Sequence, residues 1–221
     1  VISGELNAVK MICEKFNDIG NTLVSIYYFI NKQPSYQLGI VNDKLGAKIS
    51  FEPGFESNFS GMFGMNRLDN NWILTGELNL QMENYFKSAE RGEFFWRRID
   101  SLSQTIKIGT ILPHPFGWRT GVDLDYQHEI FRGLYASTEN RYLLSTYFPL
   151  IGTTGFGYVT GKTTPTLIGK ENGYEKTSYY AFSLFSKKEN LNDRYIPTSG
   201  NAMKINADGG LDGKTFFLKS G

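Results

Sequence analysis

The stretch LTGELNLQME, residues 74–83, alternates without a break. Leu74, Gly76, Leu78, Leu80 and Met82 fall on one side of an extended chain; Thr75, Glu77, Asn79, Gln81 and Glu83 fall on the other. Successive side chains of a strand point to opposite faces, so this pattern predicts a strand with one apolar and one polar face. Residues 118–129 repeat it, with Trp118, Val122, Leu124 and Tyr126 opposing Arg119, Asp123, Asp125, Gln127 and Glu129. Residues 201–208 set Met203, Ile205 and Ala207 against Lys204, Asn206 and Asp208. Weaker alternation at 45–52, 57–66, 104–112, 141–148, 152–161, 177–187 and 214–220 brings the expectation to about ten strands. Turn chemistry separates them at Asp69-Asn70-Asn71, Pro113-His114-Pro115, Gly152 and Asn172-Gly173.

Strand length discriminates between two readings. Soluble strands average about 5–6 residues, whereas a tilted membrane-spanning strand needs about 9–11. The runs at 74–83 and 118–129 reach the membrane length. Trp72, Tyr85, Phe86, Trp118, Tyr147 and Phe148 stand near strand ends, where the interface aromatics of a membrane barrel belong. The polar faces carry carboxylates and amides in series, as a wet lumen would. A soluble sandwich also alternates, because its outer faces are polar.

Composition narrows the function classes. Lys and Arg number 23 against 22 Asp and Glu, so no basic footprint points to nucleic acid and no acidic tail to disorder. Hydrophobic residues are 40%, and no apolar run approaches the roughly 18 residues of a spanning helix. Aromatics at 15% and 24 glycines suit strands, interface rings and tight turns. Cys13 is the single cysteine, which excludes an internal disulfide and reads as a small buried hydrophobe. Val1 to Lys10 lack the charged and apolar regions of a signal peptide.

Residues 1–42 read differently. Leu6, Val9, Cys13 and Phe16 recur at spacings of three and four, predicting a short amphipathic helix with Gly20 as its stop. A strand over 23–30, a turn at 31–34 and a second strand over 36–40 complete a small α+β module.

The segment NLNDRYIPTSGNAMKINADG, residues 190–209, resembles a recurrent hairpin of the Omp85 (BamA-like) superfamily of outer-membrane proteins. Leu191, Asp193, Tyr195, Pro197, Thr198 and Gly200 stand in its motif, with Asn192 splitting the Leu–Asp pair. Local chemistry agrees: Asp193 can cap its turn, Pro197 stops strand pairing, and Gly200 permits a left-handed backbone before the next strand. Thr22 to Ile40 is similar to the last two strands of a POTRA domain, whose closing-strand pattern Pro34, Tyr36 and Gly39 match. The resemblance implies that residues 1–42 end a POTRA-like module. Residues 43–221 would then form about ten strands of a sixteen-stranded antiparallel transmembrane β-barrel. No R-G-F/Y tripeptide follows the hairpin, so the barrel is expected to continue outside this chain.

What the resemblance implies about function is a pore in the bacterial outer membrane, with its N-terminal part periplasmic. Such a pore inserts proteins into that membrane or translocates them across it. Its partners would be outer-membrane lipids, unfolded client or passenger proteins and accessory periplasmic or lipoprotein subunits. It would need no cofactor and no metal, and it would not be an enzyme. The same superfamily includes barrel anchors of patatin-like type V secretion proteins. A passive outer-membrane channel is the further alternative.

Other motifs carry less. Gly161-Lys162-Thr163 lacks the upstream glycine of a P-loop, because Phe156 stands at that position, and Thr164-Pro165 replaces the helix that should follow. His114 and His128 are not spaced as metal ligands. Asp123 and Asp125 share one face of a strand and could serve acid–base chemistry or a cation, but lumen wall is the simpler reading. No G-x-S-x-G nucleophile elbow occurs. Asn58-Phe59-Ser60 matches a glycosylation sequon, which a bacterial origin would make meaningless.

Overall fold

The structure is a computed structural model. It describes residues 13–20, 23, 30, 34–41, 44–68, 71–148, 150–191, 198–212 and 215–220. The chain forms two compact units.

The smaller unit takes in residues 1–55, 147–153 and 187–204. It holds helix α1, residues 13–20, and an antiparallel hairpin of β1 (Ser35–Val41) and β2 (Lys44–Ser50). The ring of Phe16 stacks on Tyr36, with centroids 5.2 Å apart, so the helix presents its apolar stripe to β1. Ile30 is buried and bridges to Pro53. The predicted helix is therefore there, with Gly20 inside it instead of beyond its end and Cys13 half-buried. Its expected members Leu6 and Val9 lie outside the described residues. Of the strand expected over 23–30, Leu23 is helical instead, Ile30 forms a single bridge, and the rest lies outside the described residues. The strand expected at 45–52 exists as β2, but it pairs with β1 and stands outside the large sheet.

That large sheet has ten antiparallel strands in sequential order. They are β3 (Asn58–Leu68), β4 (Asn71–Glu83), β5 (Arg91–Arg98), β6 (Gln104–Leu112) and β7 (Gly121–Phe131). β8 (Tyr135–Phe148), β9 (Gly152–Pro165), β10 (Thr177–Leu191), β11 (Gly200–Asp212) and β12 (Thr215–Ser220) complete it. Most of it belongs to the larger unit, residues 56–146, 154–186 and 205–221. β4, β8, β9, β10 and β11 run 13 to 15 residues. That is more than twice the ordinary soluble strand and long enough to cross a bilayer at a tilt. β3 and β12 end the strand order, and among the described residues neither pairs with the other.

The strand β5, RGEFFWRR, has no counterpart among the expected ones. Its adjacent Phe94, Phe95 and Trp96 hide the period of two, because Phe95 faces the polar side. Trp118, expected to open the strand at 118–129, lies in the loop before it, and β7 begins at Gly121. Between β9 and β10 a short helix, α2 (Leu167–Glu171), is capped by Thr166, whose Oγ1 accepts from the Gly169 N–H at 3.1 Å. The same hydroxyl donates to the Gly133 carbonyl at 2.6 Å and ties this connection to the β7–β8 turn.

Close packing concentrates on β9. A Cβ on Gly161 would overlap the Tyr179 ring, and one on Gly155 would overlap the Phe185 ring. Aromatic side chains of β10 thus lie over bare backbone of β9, a cross-strand rescue of glycine. Gly161→Val is expected to lower unfolding free energy by about 1–3 kcal/mol, the usual cost of overpacking. Gly92→Ala, with open space where its Cβ would stand, is expected to change it by much less. Urea denaturation of the two variants checks both.

Candidate functional site

The register divides the sheet into two chemically opposite faces. On one face, Asn79 stands opposite Phe95, Phe95 opposite Lys107, Lys107 opposite Gln127, and Gln127 opposite Glu139. One row along, Gln81 faces Glu93, Glu93 faces Gly109, Gly109 faces Asp125, and Asp125 faces Arg141. These two rows line a concave recess of about 500 Å3. Asp125 is therefore a wall residue of the recess opposite Arg141, whereas Asp123, on the same face, stands between Ile111 and Leu143.

Further strands extend the network. Arg141 Nη2 lies 3.7 Å from Asp208 Oδ2 on β11 and 3.7 Å from Glu139 Oε1. Its Nη1 reaches the Ser183 hydroxyl on β10 at 3.4 Å. The Tyr179 hydroxyl donates to Glu139 Oε2, and its ring packs edge-on against Phe217 of β12 at 5.8 Å. Gly155, Gly157 and Gly161 make this possible, since no side chain of β9 stands between β8 and β10 at those positions.

The opposite face is apolar and open. Phe59 pairs with Leu80, Leu80 with Phe94, Phe94 with Ile108, and Ile108 with Tyr126. Phe63 is 55% exposed, Phe59 67%, Phe182 74% and Leu218 71%. Among the described residues the buried hydrophobic side chains are only Ile30, Leu143, Val159 and Ala181. The large apolar side chains therefore do not form the dry interior that a soluble sandwich would require. Where the side chains of β3–β12 are described, every carboxylate belongs to the recess face. In the larger unit the apolar face carries only Arg67, Arg98 and Lys162 as formal charges.

A line of aromatic residues crosses the apolar face. Trp96 on β5, Tyr126 on β7, Tyr142 on β8, Tyr158 on β9 and Tyr180 on β10 each stand next to a polar residue on the apolar face of their strand. Beyond them come Arg98, His128, Asn140, Thr160 and Ser178. Sequence reasoning missed this line, since it selected aromatics by nearness to strand ends. Their shared parity, two positions from a polar residue on the same face, was the signal available. Tyr158 stacks near Tyr180 at 6.2 Å and near Phe182 at 5.9 Å.

The expected interface aromatics divide. Trp72 lies on the apolar face opposite Arg67 and is exposed. Tyr85 and Phe86 occupy the β4–β5 turn, ring edge to ring face at 5.2 Å. Trp118 lies beside Phe116 at 5.7 Å in the β6–β7 loop, and its carbonyl meets His114 Nδ1 at 2.9 Å. Tyr147 and Phe148 end β8, Tyr147 half-buried and Phe148 exposed. Of the hairpin motif, Asp193, Tyr195 and Pro197 lie outside the described residues. Leu191 ends β10, Thr198 is exposed, and Gly200 opens β11 with φ +121°, the left-handed backbone its position called for. Pro34 precedes β1, while Tyr36 and Gly39 lie within it opposite Ile49 and Gly46. Compared with known protein families and with curated proteins, the chain matches none.

The turn that carries Tyr85 and Phe86 is held by a carboxylate. Asn84, Lys87 and Ala89 all have positive φ, a strained conformation for side-chain-bearing residues. Buried Glu90 compensates, accepting from the Phe86 N–H, from the Ser88 N–H at 3.0 Å and from the Ser88 hydroxyl at 2.7 Å. Burial raises the Glu90 pKa, but these donors outweigh it, and the carboxyl titrates below its ordinary value. A lowered folded-state pKa means stability that is complete above the ordinary carboxylate value and lost as pH falls through the lowered one. Amide exchange at Phe86 and Ser88, corrected for intrinsic rates, is expected to lose protection over that acidic window. Glu90→Gln should abolish the pH dependence; a wild-type profile flat with pH would contradict the account.

Proposed function

We propose that this chain is the membrane-spanning sheet and adjoining α+β module of an Omp85-type protein of the bacterial outer membrane. It is a pore that inserts proteins into that membrane or carries them across it, and it has no catalytic centre of its own. The observation that carries the reading is the separation of chemistries on one sheet. An exposed apolar face spans all ten strands, and the carboxylates stand on the other side. Hydrocarbon solvates the first and water the second.

Two features of the border support it. Interfacial tyrosine and tryptophan mark the headgroup level in membrane barrels, and the line from Trp96 to Tyr180 has that character. From β5 to β8 the line also slants. Trp96 is level with Ile106 and His128; Tyr126 is two residues below His128 and level with Asn140; Tyr142 is two below that. Four residues at about 3.3 Å each, over three strand spacings of about 4.8 Å, give a slope of roughly 40°. This is the tilt of barrel strands, so the border there runs parallel to a membrane plane. From β8 to β9 the line runs level, since the Asn140–Thr160 and Ser137–Thr163 hydrogen bonds set a register that puts Tyr142 beside Tyr158.

In this reading β3 and β12 cannot remain edges. Unpaired backbone groups in hydrocarbon cost several kcal/mol each, so these strands pair with one another or with further strands. The polar recess and the Arg141 network face the lumen. The helix-and-hairpin unit with Tyr36 at its centre supports protein handling over a passive channel, since POTRA modules capture extended segments by strand addition.

In native membranes the protein is expected to resist urea and carbonate washes and to need detergent. Unheated, it should migrate faster on a denaturing gel than after boiling. Depletion should lower the abundance of other outer-membrane barrels or of a secreted passenger. Release of the protein into the soluble fraction would overturn the membrane reading. Unchanged barrels and secretion after depletion would overturn the protein-handling one.

A further inference from the structure

Just beyond Tyr142, Tyr158 and Tyr180, the apolar face opens into a second recess of about 370 Å3. Its walls are Thr138 and Asn140 from β8, Thr160, Gly161 and Lys162 from β9, and Ser178 and Tyr180 from β10. All but Gly161 have the parity of the apolar face. Lys162 is exposed, and no described residue forms a salt bridge with it. No carboxylate lines the recess, which instead offers three aliphatic hydroxyls, the Tyr180 phenol, one carboxamide and one ammonium. The amide of Asn140 meets the Thr160 hydroxyl at 3.4 Å, and His128 meets Thr138 at 3.0 Å, so the wall is ordered around the cation.

We infer that this recess is a binding site for the phosphate headgroup of an anionic membrane lipid. The inference rests on the reading that the apolar face meets hydrocarbon. A lysine at the polar margin of a lipid-facing surface extends to the headgroup level and there meets phosphate. Thr138, Thr160 and Ser178 supply hydroxyl donors to the phosphate oxygens, which accept. Below the recess, Tyr142, Tyr158 and Phe182 form an exposed aromatic surface along which the acyl chains lie. Polar donors above and rings below distinguish a lipid site from a site for a free anion, which has no use for the apolar floor.

The test uses the full-length protein, extracted in a neutral detergent and incubated with mixed micelles of phosphatidylcholine and phosphatidylglycerol. Native mass spectrometry then counts the lipids retained. Wild type is expected to retain phosphatidylglycerol in preference to phosphatidylcholine, and Lys162→Ala to reduce that preference roughly five-fold. Lys107→Ala, which removes a cation from the opposite face, should leave it unchanged. Equal retention by wild type and Lys162→Ala, with both showing heat-modifiable migration, would overturn the lipid site and leave the membrane reading intact. Displacement of phosphatidylglycerol by an equal concentration of inorganic phosphate would overturn it as well, by revealing a free-anion site. Failure of wild type to show heat-modifiable migration would sink the membrane reading and this inference with it.

Discussion

Side chains on a strand alternate between two sides, and the large sheet keeps its carboxylates on one side and most of its large exposed apolar side chains on the other. Every other property of the large sheet follows from that constraint. A shift of one residue in the register of any strand would carry carboxylates such as Glu93, Asp125 or Glu139 onto the apolar face. Under the proposed membrane reading that face meets hydrocarbon, where such a slip is heavily penalised, so the alternation that makes the strands also fixes their pairing.

Because most of the large apolar side chains of the sheet are exposed, buried apolar packing is confined to a few residues. The recess face is held by a polar network instead, with Arg141 at its centre and Glu139, Ser183 and Asp208 around it. β9 supports that network by contributing almost nothing to it. Its glycines let Tyr179 and Phe185 lie flat and let groups on β8 reach β10 and β11. The buried apolar side chains of the sheet, Leu143, Val159 and Ala181, and buried Ser183 with them, lie on these same strands. Order in the sheet therefore concentrates where small residues permit side chains to meet across strands.

Much of this was legible in the residues themselves. LTGELNLQME and GVDLDYQHE alternate over the length of β4 and most of β7, and both became strands with the faces their pattern required. The total of about ten strands was right for a mixed reason. β2 was counted with the sheet but pairs with β1, while β5 was overlooked because Phe94-Phe95-Trp96 shows no alternation. Long-range pairing decides the first and a large residue on the polar face conceals the second, and neither is visible locally. The aromatic line from Trp96 to Tyr180 became apparent only with the register, since its members are far apart in the chain. Of the Pro-Thr-x-Gly hairpin, Gly200 shows the predicted backbone, a local property of one residue.

Spin labels placed one at a time along β7 and β10 test the two-solvent account most directly, with Cys13 replaced by serine and the protein in lipid vesicles. Relaxation by oxygen, which concentrates in hydrocarbon, is expected at positions 124, 126, 182 and 184. Relaxation by a water-soluble nickel chelate is expected at 125, 127, 177 and 187, the exposed or half-buried positions of the recess face. A period of two with opposite phase for the two reagents is the predicted result. Equal accessibility on both faces, or oxygen preference on the carboxylate face, would contradict the account.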